Sequence, residues 1–225
     1  MPTALAETAL TTVAYMLSED GGQSWHRSNS ESISLPATAD TVDVIASGSG
    51  KEGRVLNAGS LDVSPDAVPH IPYSVQVQNS SQAYLATPLG NGIWRHQHLN
   101  PFLPGDARNA SLLMYGGIAF GSSGDAVIAA VAMDLDFGGQ PWGEPSSEVV
   151  AFHRPNGQNS FRSKIIATPD PESPRWLPNL ERRTGFNTVP KYPSLLFTDG
   201  QRGSSLDDRL NNHVYWVPGT ALSPE

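Results

Sequence analysis

The stretch "SEDGGQSW", residues 18–25, decides how this chain is read. It sets Ser18, Asp20, Gly21, Gly22, Ser24 and Trp25 between two strand-like runs. Asp and Gly at that spacing are turn chemistry. The Asp20 carboxylate can accept hydrogen bonds from backbone amides inside the turn, and Gly21 or Gly22 can take positive φ with no Cβ to clash. Trp25 then opens the next strand and packs back across the hairpin. The spacing predicts a structural staple without a direct part in catalysis.

A repeat unit should recur at constant spacing. "RPNGQNSF" (154–161) sets Asn156, Gly157, Ser160 and Phe161 against Asp20, Gly21, Ser24 and Trp25. "TPLGNGIW" (87–94) sets Gly90 and Trp94 against Gly21 and Trp25. The aromatic positions lie 69 residues apart from 25 to 94, and 67 apart from 94 to 161. Three further stretches, "GSLDVSPDAVPHIPYSV" (59–75), "GGIAFGSSGDAVIAAVAM" (116–133) and "YPSLLFTDGQRG" (192–203), open successive units. Their short apolar or alternating runs, bounded by Gly, Asp and Pro, are strand signals. Gly 21 and Pro 19 in 225 residues suit short strands joined by many turns.

Residues 18–25 match every specified position of S-x-D-x-G-x-[ST]-W and so resemble the Asp box of sialidases and related β-propellers. That box lies between the third and fourth strands of a blade. The resemblance implies an all-β fold, a β-propeller of four-stranded antiparallel blades. The units are a partial blade over 1–30, blades over 54–100 and 114–168, and a partial blade over 191–218. Propellers close with roughly four to eight blades, against about three and a half here. The expectation is an open arc from a longer protein, in preference to a blade closed by a partner. Gly59–Val63, Gly117–Phe120 and Ser194–Phe197 are the expected innermost strands. Open blade edges would favour self-association.

A closer resemblance runs through "SEDGGQSWHRSNSESISLPAT", "RVLNAGSLDVSPDAVPHIPYS" and "WLPNLERRTGFNTVPKYPSLLF". In that order these are similar to the BNR-repeat propellers that include the ulvan lyases. The resemblance implies β-elimination beside a uronic acid, with His and Tyr moving protons and Arg neutralising the carboxylate. The chemistry requires such groups. A cation must stabilise the developing enolate, a base must take the α-proton, and an acid must protonate the departing oxygen.

His70 follows Pro69 at the start of a second strand, where it is either a satisfied structural histidine or an acid–base group. Tyr73 shares a face with Ile71 and reads as core. Tyr115 and Tyr192 occupy one repeat position ahead of an inner strand, where they pack between blades, stack on a sugar or donate a proton. Asn57 is a candidate partner for a sugar hydroxyl. The segment 175–192 reads as a long blade connection carrying Arg175, Trp176, Arg182, Arg183, Asn187 and Lys191, either an anion site or a solvated loop with Glu181 pairing an Arg. The expected catalytic set is His70, Tyr115 and Arg183. Asn57, Arg175, Trp176, Arg182, Asn187, Lys191 and Tyr192 are expected to bind substrate.

His96 and His98 share a face of an outer strand far from the cleft and read as surface residues. Asp134 and Asp136 in "DLDFGG" (134–139) could hold a structural calcium, although a turn fits better. No cofactor is expected. A net charge of −8 argues against nucleic acid, and no run of 18 apolar residues spans a membrane. The absence of cysteine removes disulfide and thiolate chemistry. The leading expectation is a polysaccharide lyase acting on a uronate-containing anionic polysaccharide of the ulvan type. The alternatives are a sialidase-like hydrolase, for which Glu144, Glu148 and Glu181 are available, or a carbohydrate-binding propeller without turnover. Polymer breakdown implies an extracellular or periplasmic location, with no signal peptide visible in this chain.

Overall fold

A computed structural model describes residues 10–49, 53–107, 110–135, 144–183, 187–200 and 212–222. Every extended element is a β-strand, paired antiparallel within its sheet. An amino-terminal unit holds β1 (Thr12–Tyr15), β2 (Trp25–His26), β3 (Ser32–Ile33) and β4 (Asp43–Ser47), paired β1 with β4 and β2 with β3. The next sheet is β5 (Arg54–Ala58), β7 (Pro69–Val77), β8 (Ser80–Gly90) and β9 (Ile93–His98), with β6 (Asp62–Val63) also on β7. Then follow β10 (Ser111–Phe120), β11 (Ala126–Met133), β12 (Glu148–Arg154) and β13 (Arg162–Ala167), in that order. A three-stranded sheet of β14 (Arg175–Leu180), β15 (Leu195–Asp199) and β16 (His213–Val217) is last.

The sheets stack face to face, and the period of two decides what each face buries. In β11, "AVIAAVAM", every residue is buried. Ala126, Ile128, Ala130 and Ala132 meet Leu85 and Leu112 toward the preceding sheet, while Val127 and Ala129 meet Leu180 and Phe197 of the following one. A strand covered on both faces reads as a continuous apolar run. A third core joins Val13, Tyr15 and Ile45 of the amino-terminal unit to Leu56, Ile71 and Trp94.

The 18–25 loop closes a hairpin in which Leu17 and His26 exchange backbone hydrogen bonds of 2.9 and 2.8 Å. Asp20 Oδ1 accepts from the amides of Gln23 and Ser24, each at 2.9 Å, and from the Ser18 hydroxyl. Its Oδ2 accepts from the Ser24 hydroxyl at 2.6 Å. Gly21, Gly90 and Gly157, matched by the repeat, have φ of 74, 93 and 76°. The latter two occupy the β8–β9 and β12–β13 hairpins. Asn156 takes a different role from Asp20: its amide donates to Asp125 Oδ1 and its side chain to the Ser123 carbonyl, docking its hairpin onto the β10–β11 turn.

Ser60 and Gly117 form a parallel bridge between two of the segments expected as inner strands; of Gly59–Val63 only Asp62–Val63 is a strand, and Arg54–Ala58 leads that sheet. Ser60 donates to the Gly116 carbonyl at 2.9 Å, and the Ile118 amide donates to Ser60 at 3.0 Å. The third expected inner strand is corrected. Leu195–Asp199 is the middle strand of its sheet, and β14, drawn from the expected connection 175–192, lies first. Pro178 and the polar residues of "RWLPNL" disguise it. β14 pairs with β15 alone, so proline is tolerated on this edge, beside a pairing irregularity between Trp176 and Asn179. No helix of the described residues is long and apolar enough to cross a membrane.

Candidate functional site

His70 is the second residue of β7 and pairs with Asp62 of β6. It is only 7% exposed, yet lines a pocket of about 370 Å³ that lies between two neighbouring sheets. Its Nδ1 lies 2.9 Å from the Val68 carbonyl oxygen. A carbonyl only accepts, so Nδ1 carries the proton and Nε2 presents a lone pair. That lone pair faces Nη2 of Arg154 at 3.3 Å. Phe120 closes one side, edge-on to the imidazole at 4.9 Å between ring centres. Arg154 also lies over the Phe161 ring at 5.2 Å.

The electrostatics follow from this packing. Burial depresses the His70 pKa to about 4, and the nearby Arg154 and Arg95 charges push the same way against the hydrogen bond to Val68. The imidazole is therefore neutral at pH 7. Burial also lowers the Arg154 pKa, with Arg95 adding repulsion. The pocket thus holds a neutral base next to a half-buried cation, the pairing needed to receive an anion beside an acidic proton.

Two further cavities continue the site. One of about 530 Å³ shares Ser64, Pro65 and Phe120 with the His70 pocket and adds Asp62 and Arg183. Another, of about 770 Å³, shares Asp62 and Arg183 with it and reaches Arg182, Asn179 and Trp216. Asp62 ties the wall together, because its Oδ2 accepts from the Phe120 amide at 2.9 Å.

The structure separates the expected site residues into groups. His70 lies in the pocket, and Arg182 and Arg183 lie farther along the groove. Tyr115 lines none of these three cavities; it packs against Leu113, Val131, Met133 and Leu135, and burial raises its pKa to about 12. Arg175 is held by Asp199 and by Asp170 at 3.5 Å, which makes it part of a structural ion-pair network. Trp176 lies in β14, where its carbonyl accepts from the Thr198 hydroxyl. Asn187 donates to the Arg182 carbonyl at 3.0 Å and braces that loop. Lys191 stands 5.1 Å over the Tyr192 ring, and neither lines the groove. Asn57 pairs with Ser74 within β5–β7 and is likewise outside it.

The remaining candidates lie outside the His70 pocket, and Glu181 lines the cavity of about 770 Å³ beside Arg182. His96 is exposed, with its Nδ1 2.9 Å from the Tyr73 hydroxyl, and His98 stacks on Tyr84. Tyr73 is in the core, as expected, and burial lifts its pKa to about 12. Glu144 and Glu148 are buried, and Glu181 accepts from the Ser194 amide. The Asp134 amide donates to the Ser146 hydroxyl, while Asp136 lies outside the described residues. No three metal-binding side chains converge among the described residues.

Sequence reasoning missed Arg154 and Arg95. Both flank the repeat hairpins, Arg154 opening "RPNGQNSF" and Arg95 following Trp94. Arg154 ends β12 and Arg95 lies on the outermost strand β9, so their approach to His70 depends on sheet stacking and not on local pattern. The His70 pocket lies where the hairpin ends of adjacent sheets meet.

Residues 5–101 match a family described as BNR repeat-containing family member. No curated protein matches the chain in sequence. Among solved structures, the chain is similar to an ulvan lyase from a new family of polysaccharide lyases bound to -[GlcA(1-4)Rha3S]-. The TM-score is 0.59 at 13% identity, over 96% of this chain and 47% of that one. It is also similar to an ulvan lyase structure from the same new family, with a TM-score of 0.53 at 12% identity, over 90% of this chain and 44% of that one. The chain spans about half the length of these solved relatives. At such identity the likeness to ulvan lyases is one of fold, while the resemblance to BNR-repeat proteins holds in sequence over residues 5–101.

Proposed function

We propose that this chain is polysaccharide-lyase-like and acts by β-elimination on a uronate-containing anionic polysaccharide in the His70–Arg154 pocket. One observation carries the reading: a neutral imidazole whose Nε2 faces a guanidinium at 3.3 Å in an open cleft. Arg154 receives the uronate carboxylate and draws charge from the α-carbon as the enolate develops. His70 Nε2 takes the α-proton. The electrons of the broken C–H bond form the new C=C bond, the β C–O bond breaks, and the departing oxygen takes a proton from solvent, to which the His70 imidazolium returns the one it gained. A base with a pKa near 4 is weak, but an incoming carboxylate offsets the Arg154 and Arg95 charges that depress it. The base is therefore stronger with substrate bound than without.

Fold likeness to an ulvan lyase supports an ulvan-type polymer as substrate. Such a polymer is met outside the cytoplasm, which supports an extracellular or periplasmic setting for the activity. The placement of Tyr115 in a separate cluster favours a second reading, carbohydrate binding without turnover. Ulvan incubated with the chain should gain the ultraviolet absorbance of an unsaturated uronate, and His70→Ala should abolish it while retaining binding. Binding with no absorbance gain in the unsubstituted chain selects the second reading, and the absence of binding removes both.

A further inference from the structure

We infer that Arg95 is a specificity residue that takes a second anion, a sulfate ester or a carboxylate, on the sugar adjoining the uronate held by Arg154. This rests on the reading above and extends it from one subsite to two. Arg95 and Arg154 come from neighbouring sheets, β9 and β12, and line the same pocket as His70. Arg154 is the inner cation, stacked on Phe161 and facing the imidazole. Arg95 is exposed at the rim, paired with Thr87 across β8–β9.

The rim around Arg95 is rich in amides. Asn156, Gln158 and Asn159 line the pocket from the β12–β13 hairpin. Gln97 donates to the Asn159 carbonyl at 2.7 Å and fixes that hairpin against β9. The N–H donors of these amides and of a guanidinium fork match the acceptor oxygens of sulfate or carboxylate.

The two guanidinium groups offer two separate anion positions. Among the described residues, Asp66 is the lone carboxylate lining the pocket, which also holds two guanidinium groups and a neutral imidazole. The repulsion between Arg95 and Arg154 persists in a chain whose net charge is −8. One uronate carboxylate cancels one of these cations. Asp66 offsets one charge in the total, so the preference is positional: a polymer with charge on adjoining sugars gives each guanidinium its own anion and is favoured over one with alternate neutral sugars.

The test is calorimetric binding of three oligosaccharides: a sulfated ulvan fragment, the same fragment chemically desulfated, and an unsulfated polyuronate. The unsubstituted chain should bind the sulfated fragment about tenfold more tightly than the desulfated one, the value of one charge-assisted contact. Arg95→Gln should bring that ratio close to one, and Arg95→Lys should keep part of it. Polyuronate binding as tight as that of the sulfated fragment identifies carboxylate as an equal second anion. Weaker polyuronate binding identifies sulfate. A preference retained in Arg95→Gln, or equal binding of all three by the unsubstituted chain, overturns this inference and leaves the lyase-like reading standing. Binding of none of the three overturns the reading itself and this inference with it.

Discussion

Nε2 of His70 and the guanidinium of Arg154 stand 3.3 Å apart although the residues are 84 positions apart in sequence. Neither is remarkable in its own strand. Stacking the two sheets creates a pair in which a buried base stays neutral beside a cation, and that state has measurable consequences.

Stability should fall on mild acidification. The folded-state pKa of His70 is about 4, below the ordinary 6.5, so between these values the unfolded chain binds a proton that the native chain does not. Stability from this residue is complete above pH 6.5 and is lost as pH falls toward 4, by on the order of 3 kcal/mol. Urea unfolding at pH 7 and pH 4.5 checks this, with His70→Gln as the control that flattens the difference. An equal pH response in both proteins would contradict it.

Arg154→Gln should raise the His70 pKa without restoring it to 6.5, because burial is the larger cause and Arg154 the smaller. Imidazole chemical shifts followed by NMR from pH 3 to 8 measure this directly. A fully ordinary value would show that charge, rather than burial, dominates.

Gly117→Ala should loosen the junction between the second and third sheets. A Cβ at Gly117 would lie 2.5 Å from the Ser60 carbonyl oxygen and 2.8 Å from its nitrogen, and backbone cannot swing aside as a side chain does. Overpacking of this kind costs about 1–3 kcal/mol. Denaturant titration reads it, and a loss near zero would mean that the Ser60 bridge is not fixed.

Asp20→Ala should release the 18–25 turn while leaving the rest of the sheet packing intact. The Ser24 hydroxyl and amide, the Ser18 hydroxyl and the Gln23 amide hold the Asp20 carboxyl well below the usual carboxylate range. The turn therefore stays ionised and bonded into acid. Hydrogen exchange of the Gln23 and Ser24 amides should be slow in the parent and fast in the variant; unchanged protection would show that the glycines alone hold the loop.

The legible parts of the chain were those set by local chemistry. Asp20, Gly21, Gly90 and Gly157 announce their turns because few other residues accept positive φ or satisfy a tight loop. The run 126–133 announces a strand buried on both faces. The strand β14 was not legible, since Pro178 and its polar neighbours contradict strand propensity and only edge pairing with β15 tolerates them.

By itself the sequence determined an all-β chain with repeated hairpins, the hairpin ends at 18–25, 87–94 and 154–161, and His70 as a candidate base. Those properties depend on residues close together along the chain. Which residues His70 would meet was decided only by tertiary structure. Arg154 and Arg95 reach it, and Tyr115 goes to a separate core cluster, because side-chain direction alternates along each strand while the stacking of sheets selects the neighbours each direction finds.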